Sequence, residues 1–162
     1  MNIVLLEPEI PQNTGNIART CVATGSSLHL IKPLGFKLDE KSVKRAGLDY
    51  WDLLDLHIYE SYDEFISKHS SSPIYMATTK ANHTYDEICY DEDCFIMFGK
   101  ETAGIPEEIL KDNADFCIRI PMREDIRSLN LSNSVAIVLY EGLRQNKFTK
   151  LENYGELTKY HW

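Results

Sequence analysis

The chain has 162 residues, 43% of them hydrophobic and 26% charged, and a formal net charge of −8. This length and balance predict one soluble globular domain over residues 1–162. No apolar run reaches the roughly 18 residues of a membrane-spanning helix, and the first residues lack the features of a secretory signal. We therefore expect a cytoplasmic protein without membrane contact. The acidic charge argues against indiscriminate binding to nucleic acid, although a local basic patch remains compatible with it.

Cysteine and histidine spacing gives no sign of a metal site or of a disulfide framework. Cys21, Cys89, Cys94 and Cys117 form no CxxC pair and lie mostly among apolar residues, so we expect buried free thiols. The five histidines are scattered and contain no HExxH spacing. The sequence therefore predicts no metal cofactor.

Apolar runs alternate with helical segments along the chain. A first strand is predicted at 2–6, and a helix opens at 12–16 and ends near Gly25. Further strands are predicted at 28–31, 57–59, 74–77, 94–98 and 116–120, and further helices at 62–69, at 106–111 and from Leu131. Residues 39–55 have the pattern of short helical pieces, and residues 81–93 that of an acidic loop. This alternation predicts an α/β fold with a mainly parallel sheet and helices on both of its faces.

The last predicted helix is apolar on two sides. One side is a stripe at helical spacing, formed by Leu131, Val135, Val138, Leu139, Gly142 and Leu143. Ile137 and Tyr140 lie on the other side. The pattern leaves open whether that second side is covered by the same domain or by another subunit.

Unusual residues collect in the loops that follow predicted strands, namely 7–19, 77–79, 99–104 and 120–128. Ligands of parallel sheets bind at the carboxyl ends of the strands. Ser128, Asn130, Ser132 and Asn133 precede the last helix and are suited to cap its first turn. This end of the sheet is therefore predicted to hold an electron-rich ligand.

Each motif also has a structural interpretation when it is taken alone. The spacing Gly99-x-Glu101-x-x-Gly104 is neither a Walker A loop nor a dinucleotide fingerprint, so it is more often a turn. Arg19 lies away from the apolar stripe of its helix and can reach out of the fold, or can be a solvated surface residue. The basic cluster of Lys37, Lys41, Lys44 and Arg45 beside Tyr50 and Trp51 fits either RNA contact or a solvated helix face.

Together, three segments resemble the ordered motifs of the SPOUT (trefoil-knot) RNA methyltransferases. They are NTGNIAR at 13–19, FGKETAGIP at 98–106, and IPM with RSLNLSN between 120 and 133. Within that superfamily, EPEIP at 7–11, RAGLDY at 45–50 and the single-domain length resemble the tRNA (cytidine(34)-2′-O)-methyltransferase family. The likeness extends to about residue 146 and leaves the tail at 147–162 without a role. Lys100 stands where many relatives have proline.

The resemblance implies a fold, an activity and a set of site residues. It implies a deep C-terminal trefoil knot, S-adenosyl-L-methionine as methyl donor without a metal, and the wobble nucleotide of the tRNA anticodon stem-loop as acceptor. The two apolar sides of the last predicted helix indicate a homodimer, and the resemblance further implies that Arg19 of one chain faces the donor held by the other. No DNA partner is predicted. Carried over by position, the donor-binding residues are Ala77, Thr78, Gly99, Glu101, Ile120 and Ser128.

The catalytic residues implied by the same resemblance are Arg19 and Asn130. Removing the proton of a ribose hydroxyl invites a general base, but an arginine guanidinium stays protonated in proteins. Arg19 is therefore interpreted first as an electrostatic clamp for phosphate and the attacking oxygen, with true base action as the alternative. Lys44 and Arg45 are predicted to contact tRNA.

The rival hypothesis is a non-catalytic module that holds RNA or a nucleotide. The joint presence of Arg19, Ser128 and Asn130 favours the enzyme.

Overall fold

A computed structural model of the chain describes residues 1–37 and 51–161. Within these residues, a seven-stranded sheet is formed by β1 (Asn2–Leu6), β2 (Ser27–Ile31), β3 (Leu56–Tyr59), β4 (Ile74–Ala77), β5 (His83–Thr84), β6 (Phe95–Phe98) and β7 (Cys117–Arg119). The helices are α1 (Pro11–Thr24), α2 (Tyr62–His69), α3 (Glu107–Asp112) and α4 (Leu131–Gln145), with 3-10 turns at Trp51–Leu53 and Ala114–Phe116.

Each pairing between these strands is parallel, in the order β3-β2-β1-β6-β4-β7-β5. The predicted α/β class with a parallel sheet is therefore confirmed. β1, β6, β4 and β7 are consecutive neighbours in this order. Because parallel strands end on the same side, the loops that follow these four strands lie next to one another.

The sheet is buried on both faces. Side chains alternate along a strand, so Ile3 and Leu5 of β1 join one apolar cluster with residues of α1 and α4, while Val4 and Leu6 join a second cluster on the opposite face. Phe65 of α2 is the largest fully buried side chain in the second cluster. This double burial explains why β1 reads as a continuous apolar run.

The boundaries of α1 follow local chemistry. Pro11 occupies its first turn, where a missing N–H leaves no hydrogen bond unmade. Gly25 ends it with a left-handed φ of 64°, and its N–H donates to the carbonyls of Cys21 and Val22. The predicted end near Gly25 is confirmed.

Residues 81–93 are mostly irregular, as predicted, but two details of this region differ from the prediction. Residues 81–93 contain the short edge strand β5, and Tyr90 in the same stretch is buried, with its hydroxyl donating to the carbonyl oxygen of Tyr85 at 2.6 Å. Tyr90 lies among acidic residues in the sequence, so the local pattern gives no sign that its side chain is buried.

Cys89 is exposed rather than buried, whereas the other three cysteines are buried and all four are free. Burial raises the pKa of the Cys21 thiol to about 12.

The predicted stripe on α4 is confirmed, since Val135, Val138, Leu139 and Gly142 are buried. On its other side Ile137 is half-buried and Tyr140 is exposed. α4 packs beside α1. Its second apolar side therefore lacks full cover within the described part of this chain.

Some predictions concern residues outside the described ranges. The helical pieces predicted at 39–55 lie mostly outside them, and Lys44 and Arg45 lie wholly outside them. Among residues 1–37 and 51–161, no helix is long and apolar enough to cross a membrane. The knot implied by the resemblance stays a prediction.

Candidate active site

A cleft of about 570 Å³ opens where β1, β6, β4 and β7 end. Its walls come from the first loop (7–10), the second loop (99–104), the third loop (120–130), the turn at 78–80 and the first turns of α1 and α4. The lining combines apolar and polar side chains, among them Ile10, Asn13, Ala77, Thr78, Glu101, Thr102, Ile120, Met122, Arg127, Ser128, Leu129 and Asn130. The sequence prediction of a ligand site at this end of the sheet agrees with the position of the cleft.

The second loop is a tight turn that requires glycine at both ends. Lys100 and Gly104 form an isolated antiparallel bridge, and the N–H of Gly104 donates to the carbonyl of Lys100 at 2.8 Å. A Cβ on Gly99 would lie only 2.0 Å from the carbonyl carbon of Gly104, and Gly104 itself has a φ of 73°. Only glycine at position 99 allows this close backbone approach.

Glu101 ties the second loop to the beginning of α1. The residue before α1, Ile10, provides no side-chain cap. Instead the Glu101 carboxylate accepts hydrogen bonds from the N–H groups of Glu9 at 2.8 Å and Ile10 at 3.2 Å. A carboxylate is favourable at a helix N-terminus because the unpaired N–H groups carry partial positive charge there.

A reciprocal contact strengthens the same junction. Thr102 donates to the Glu9 carboxylate from its backbone N–H at 2.9 Å and from its hydroxyl. These hydrogen bonds hold the pKa of the Glu9 carboxyl below its ordinary value, chiefly through the Thr102 hydroxyl. Lys100 adds an ion pair to Glu7 at 2.8 Å. Three successive residues of the second loop, 100–102, thus contact Glu7, Glu9 and Ile10 of the first loop.

Asn130 connects α4 to α1. Its side-chain oxygen caps α4 by accepting from the N–H of Ser132 at 2.9 Å. Its amide nitrogen donates to the side-chain oxygen of Asn13 at 3.0 Å, and the Asn13 amide donates to Glu101 at 2.9 Å. One line of hydrogen bonds therefore passes through residues of all three sequence motifs.

The predicted donor-binding residues come together in the cleft. Ala77, Thr78, Gly99, Glu101, Ile120 and Ser128 all line it, as does Asn130. The Glu101 carboxylate, however, faces the backbone of the first loop, so it builds the wall of the cleft as well as lining it. Sequence reasoning missed the role of Asn13, which is buried at 6% exposure. It also missed Arg127, which donates to the carbonyl oxygen of Thr102 at 3.0 Å.

Arg19 is not among the residues that line the cleft of its own chain. It lies on the exposed side of α1, six residues beyond Asn13 and so about 9 Å further along the helix. Within the described residues, no group of three or more histidine, cysteine or acidic side chains could hold a metal ion. The geometry offers a ligand cleft at one end of α1 and an exposed arginine further along it.

The model of the SpoU rRNA Methylase family matches residues 1–140. The chain belongs to this family. A relative from Listeria monocytogenes, named as a candidate tRNA (cytidine(34)-2′-O)-methyltransferase, is 53% identical over 153 residues, which are 93% of this chain and 90% of that one. The tRNA (cytidine(34)-2′-O)-methyltransferase of Methylovorus glucosotrophus is 45% identical over 148 residues, covering 91% of this chain and 96% of that protein.

A solved structure described as giving insights into the 2-OH methylation of C/U34 on tRNA superposes with a TM-score of 0.84. It is 41% identical and covers 90% of this SpoU-family chain and 95% of its own. The sequence resemblance to a tRNA 2′-O-methyltransferase family is confirmed by these relatives. The segment that the family model matches, residues 1–140, contains every residue that lines the cleft.

Proposed function

We propose that this SpoU-family protein transfers a methyl group to the ribose 2′-hydroxyl of the wobble nucleotide, cytidine or uridine 34, of tRNA. The observation that supports it best is the convergence of all three motifs on one cleft, linked through Asn130, Asn13 and Glu101. Relatives that carry the tRNA 2′-O-methyltransferase name match the chain over more than nine-tenths of its length. The cytoplasm, where the sequence predicts the protein to act, is part of the same proposal.

The cleft suits S-adenosyl-L-methionine as the methyl donor. Ala77 and Ile120 provide apolar surface for the purine base of the donor. Thr78 and Ser128 provide hydroxyl groups for the polar parts of the donor. The close approach of Gly99 to the backbone of Gly104 and Ile105 keeps the second loop compact beside the cleft. When bound, this donor supplies a sulfonium methyl group, and the chain's own residues align the acceptor with it.

The acceptor side needs negative charge stabilised and a proton removed. Transfer would join the ribose oxygen to the methyl carbon that the donor supplies, with the demethylated thioether as leaving group, and the hydroxyl proton would leave to water or to an RNA phosphate. Arg19 provides a fixed positive charge for the attacking oxygen and an adjacent phosphate. Asn130 orients the ribose through its side-chain amide, and Lys44 and Arg45 contribute tRNA backbone contacts.

A homodimer reconciles the cleft with the position of Arg19. Arg19 lies outside the cleft of its own chain, while Ile137 and Tyr140 leave the neighbouring α4 with uncovered apolar surface. A two-fold pairing through this surface would place the two clefts near the subunit interface, and the family resemblance implies that Arg19 of one subunit then faces the cleft of the other. The working unit in this proposal is therefore a dimer with shared sites.

Incubation of total tRNA with isotopically labelled S-adenosyl-L-methionine tests the function. We expect label at the 2′-oxygen of nucleotide 34, located by nuclease mapping and mass spectrometry. The matched control is the Arg19→Ala protein, which retains the cleft and should transfer little label. Label found only at tRNA positions other than nucleotide 34, or no transfer to any tRNA, would refute the proposal.

A further inference from the structure

Two exposed aliphatic side chains line the cleft. Ile10 in the first loop is 42% exposed and Leu129 in the third loop is 37% exposed. Other large apolar side chains are exposed elsewhere on the described surface. Among them Ile126 is 48% exposed in the same loop as Leu129, yet it does not line the cleft. Ile10 and Leu129 are therefore set apart by position rather than by exposure.

The backbone of both residues is fixed by the hydrogen bonds of the site. The N–H of Ile10 donates to Glu101, and its carbonyl accepts from the N–H of Asn13 at 3.1 Å. Leu129 directly precedes Asn130, whose amide donates to Asn13 at 3.0 Å. The two aliphatic side chains thus belong to the segments that the Asn13–Asn130 hydrogen bond joins.

A nucleotide in an RNA loop must leave its stack before its 2′-hydroxyl can enter such a cleft. Its base then presents two apolar faces that lose their stacking partners, and proteins compensate by covering them with apolar or aromatic side chains. Aliphatic side chains beside a polar amide pair match the two parts of one nucleotide. The amides suit the ribose, and the aliphatic groups suit the faces of the base.

We propose that the base of the acceptor nucleotide packs between Ile10 and Leu129 while its ribose faces Asn130. This inference rests on the proposed function, and it identifies the part of the site that holds the acceptor rather than the donor. Contact with the faces of a base does not read its hydrogen-bonding edge. Ile10 and Leu129 therefore accept cytidine and uridine alike.

Steady-state methylation of an anticodon stem-loop RNA tests the contact. Ile10→Ala and Leu129→Ala each remove three carbons from the contact, and we expect each to raise KM for the stem-loop by about tenfold. The dissociation constant for S-adenosyl-L-methionine, measured by calorimetry, should stay within twofold of the parent. Ile126→Ala is the matched control, because it removes an equally exposed side chain of the same loop from outside the cleft.

A second substrate makes the test specific for the base. It is the same stem-loop with an intact ribose but no base at nucleotide 34. Removal of the base should weaken RNA binding to the parent enzyme by about as much as Ile10→Ala or Leu129→Ala weakens binding of the normal stem-loop. Removal of the base should weaken RNA binding to the variants only a little further, because two contacting groups are not additive when one of them is already absent.

Three results would overturn the inference. Equal losses for the variants on the normal and baseless RNAs would mean that the side chains contact something other than the base. Weaker donor binding with unchanged KM for RNA would assign them to the donor pocket. Dissociation of the variants in sedimentation would assign them to a subunit interface. A parent enzyme that methylates neither RNA would instead refute the proposed function.

Discussion

At the scale of single residues, substitution of Asn13 is expected to lower both the stability of the protein and its rate of methyl transfer. Asn13 is buried, accepts from Asn130 and donates to Glu101. Asn13→Ala would remove the hydrogen bond that the Asn130 amide donates and one of the three that the Glu101 carboxylate accepts, so we expect the free energy of unfolding to fall by about 1–3 kcal/mol. Because Asn130 would lose one of the contacts that orient its side chain, methyl transfer should also fall, with kcat more affected than the affinity for the donor.

Denaturant unfolding and single-turnover methylation would measure both effects of Asn13→Ala. Asn16→Ala is the control, because Asn16 lies on the exposed side of the same helix and its substitution should change stability by less than about 0.5 kcal/mol. Unchanged stability and unchanged kcat in Asn13→Ala would contradict the role given to this line of hydrogen bonds.

Gly99 offers a second test at this scale. The Cβ of Gly99→Ala would overlap the backbone of Gly104 and Ile105, at 2.0 and 2.2 Å, so the second loop must move. We expect donor affinity to fall by at least about tenfold, since sub-van der Waals contacts with backbone cannot relax through a rotamer change. Calorimetric titration with S-adenosyl-L-methionine measures it. Gly155→Ala, where an added Cβ meets no atom within 4 Å, should bind like the parent.

At the scale of elements, a hydrogen-bonded histidine network joins α2 to the sheet. Nδ1 of His29 lies 2.9 Å from the Tyr59 hydroxyl, which lies 2.9 Å from Nε2 of His69. Nε2 of His29 faces the Asn2 side-chain oxygen at 3.3 Å, and that oxygen only accepts. Neutral His29 therefore carries its proton on Nε2, accepts from Tyr59, and leaves the Tyr59 oxygen to accept from His69.

Acid should weaken this junction. Burial, together with the stacked His57 and nearby His69, lowers the pKa of His29 to about 3 in the folded protein. The pKa of a histidine in the unfolded chain is about 6.5. The contribution of neutral His29 to the free energy of unfolding is therefore fully present above that pH, and it is lost as the pH falls from about 6.5 towards 3. We expect the free energy of unfolding to drop by up to about 1.4 kcal/mol per pH unit in this window.

Urea unfolding between pH 4 and 7 would measure the slope. His29→Leu should flatten it, because the titrating group is gone, whereas His83→Gln should keep it, because His83 is exposed on β5. If His29→Leu and the parent showed the same slope, the acid sensitivity would have to come from other groups.

Elements differ in how far the sequence predicts them. β1, β4 and β6 were predictable because burial on both faces leaves apolar runs, and Gly25 marks the end of α1 chemically. β5 was missed because two residues give no periodic pattern. The motif resemblance predicted Asn130 and six other residues that line the cleft, but it gave no role to Asn13 or Arg127. The cap that Glu101 gives α1 was not, because local patterns carry no information about partners so distant in the chain.

At the scale of the whole molecule, the shared-site dimer makes a prediction about mixtures. Arg19→Ala leaves a functional cleft, and Ser128→Trp blocks the cleft while retaining Arg19. When the two inactive proteins are unfolded and refolded together, half of the dimers should be mixed, and each mixed dimer should have one intact site. We therefore expect about a quarter of the parent activity to return.

The control for this mixture replaces Ser128→Trp with a protein that carries both substitutions. Every dimer then lacks Arg19, and no activity should return. Native mass spectrometry verifies that mixed dimers have formed. Mixed dimers without activity in the first experiment would mean that Arg19 serves the cleft of its own chain.

The hydrogen bonds of the cleft also bear on the order in which the protein folds. The Asn13–Glu101 and Asn13–Asn130 contacts join positions that are 88 and 117 residues apart. Closing such long loops is a slow and late event, since the chain loses entropy before these contacts form. A nascent chain must therefore be synthesised past Glu101 before the first of these contacts can form, and past Asn130 before both are present. Donor binding should consequently be the last native property to return on refolding, after the helix signal in circular dichroism.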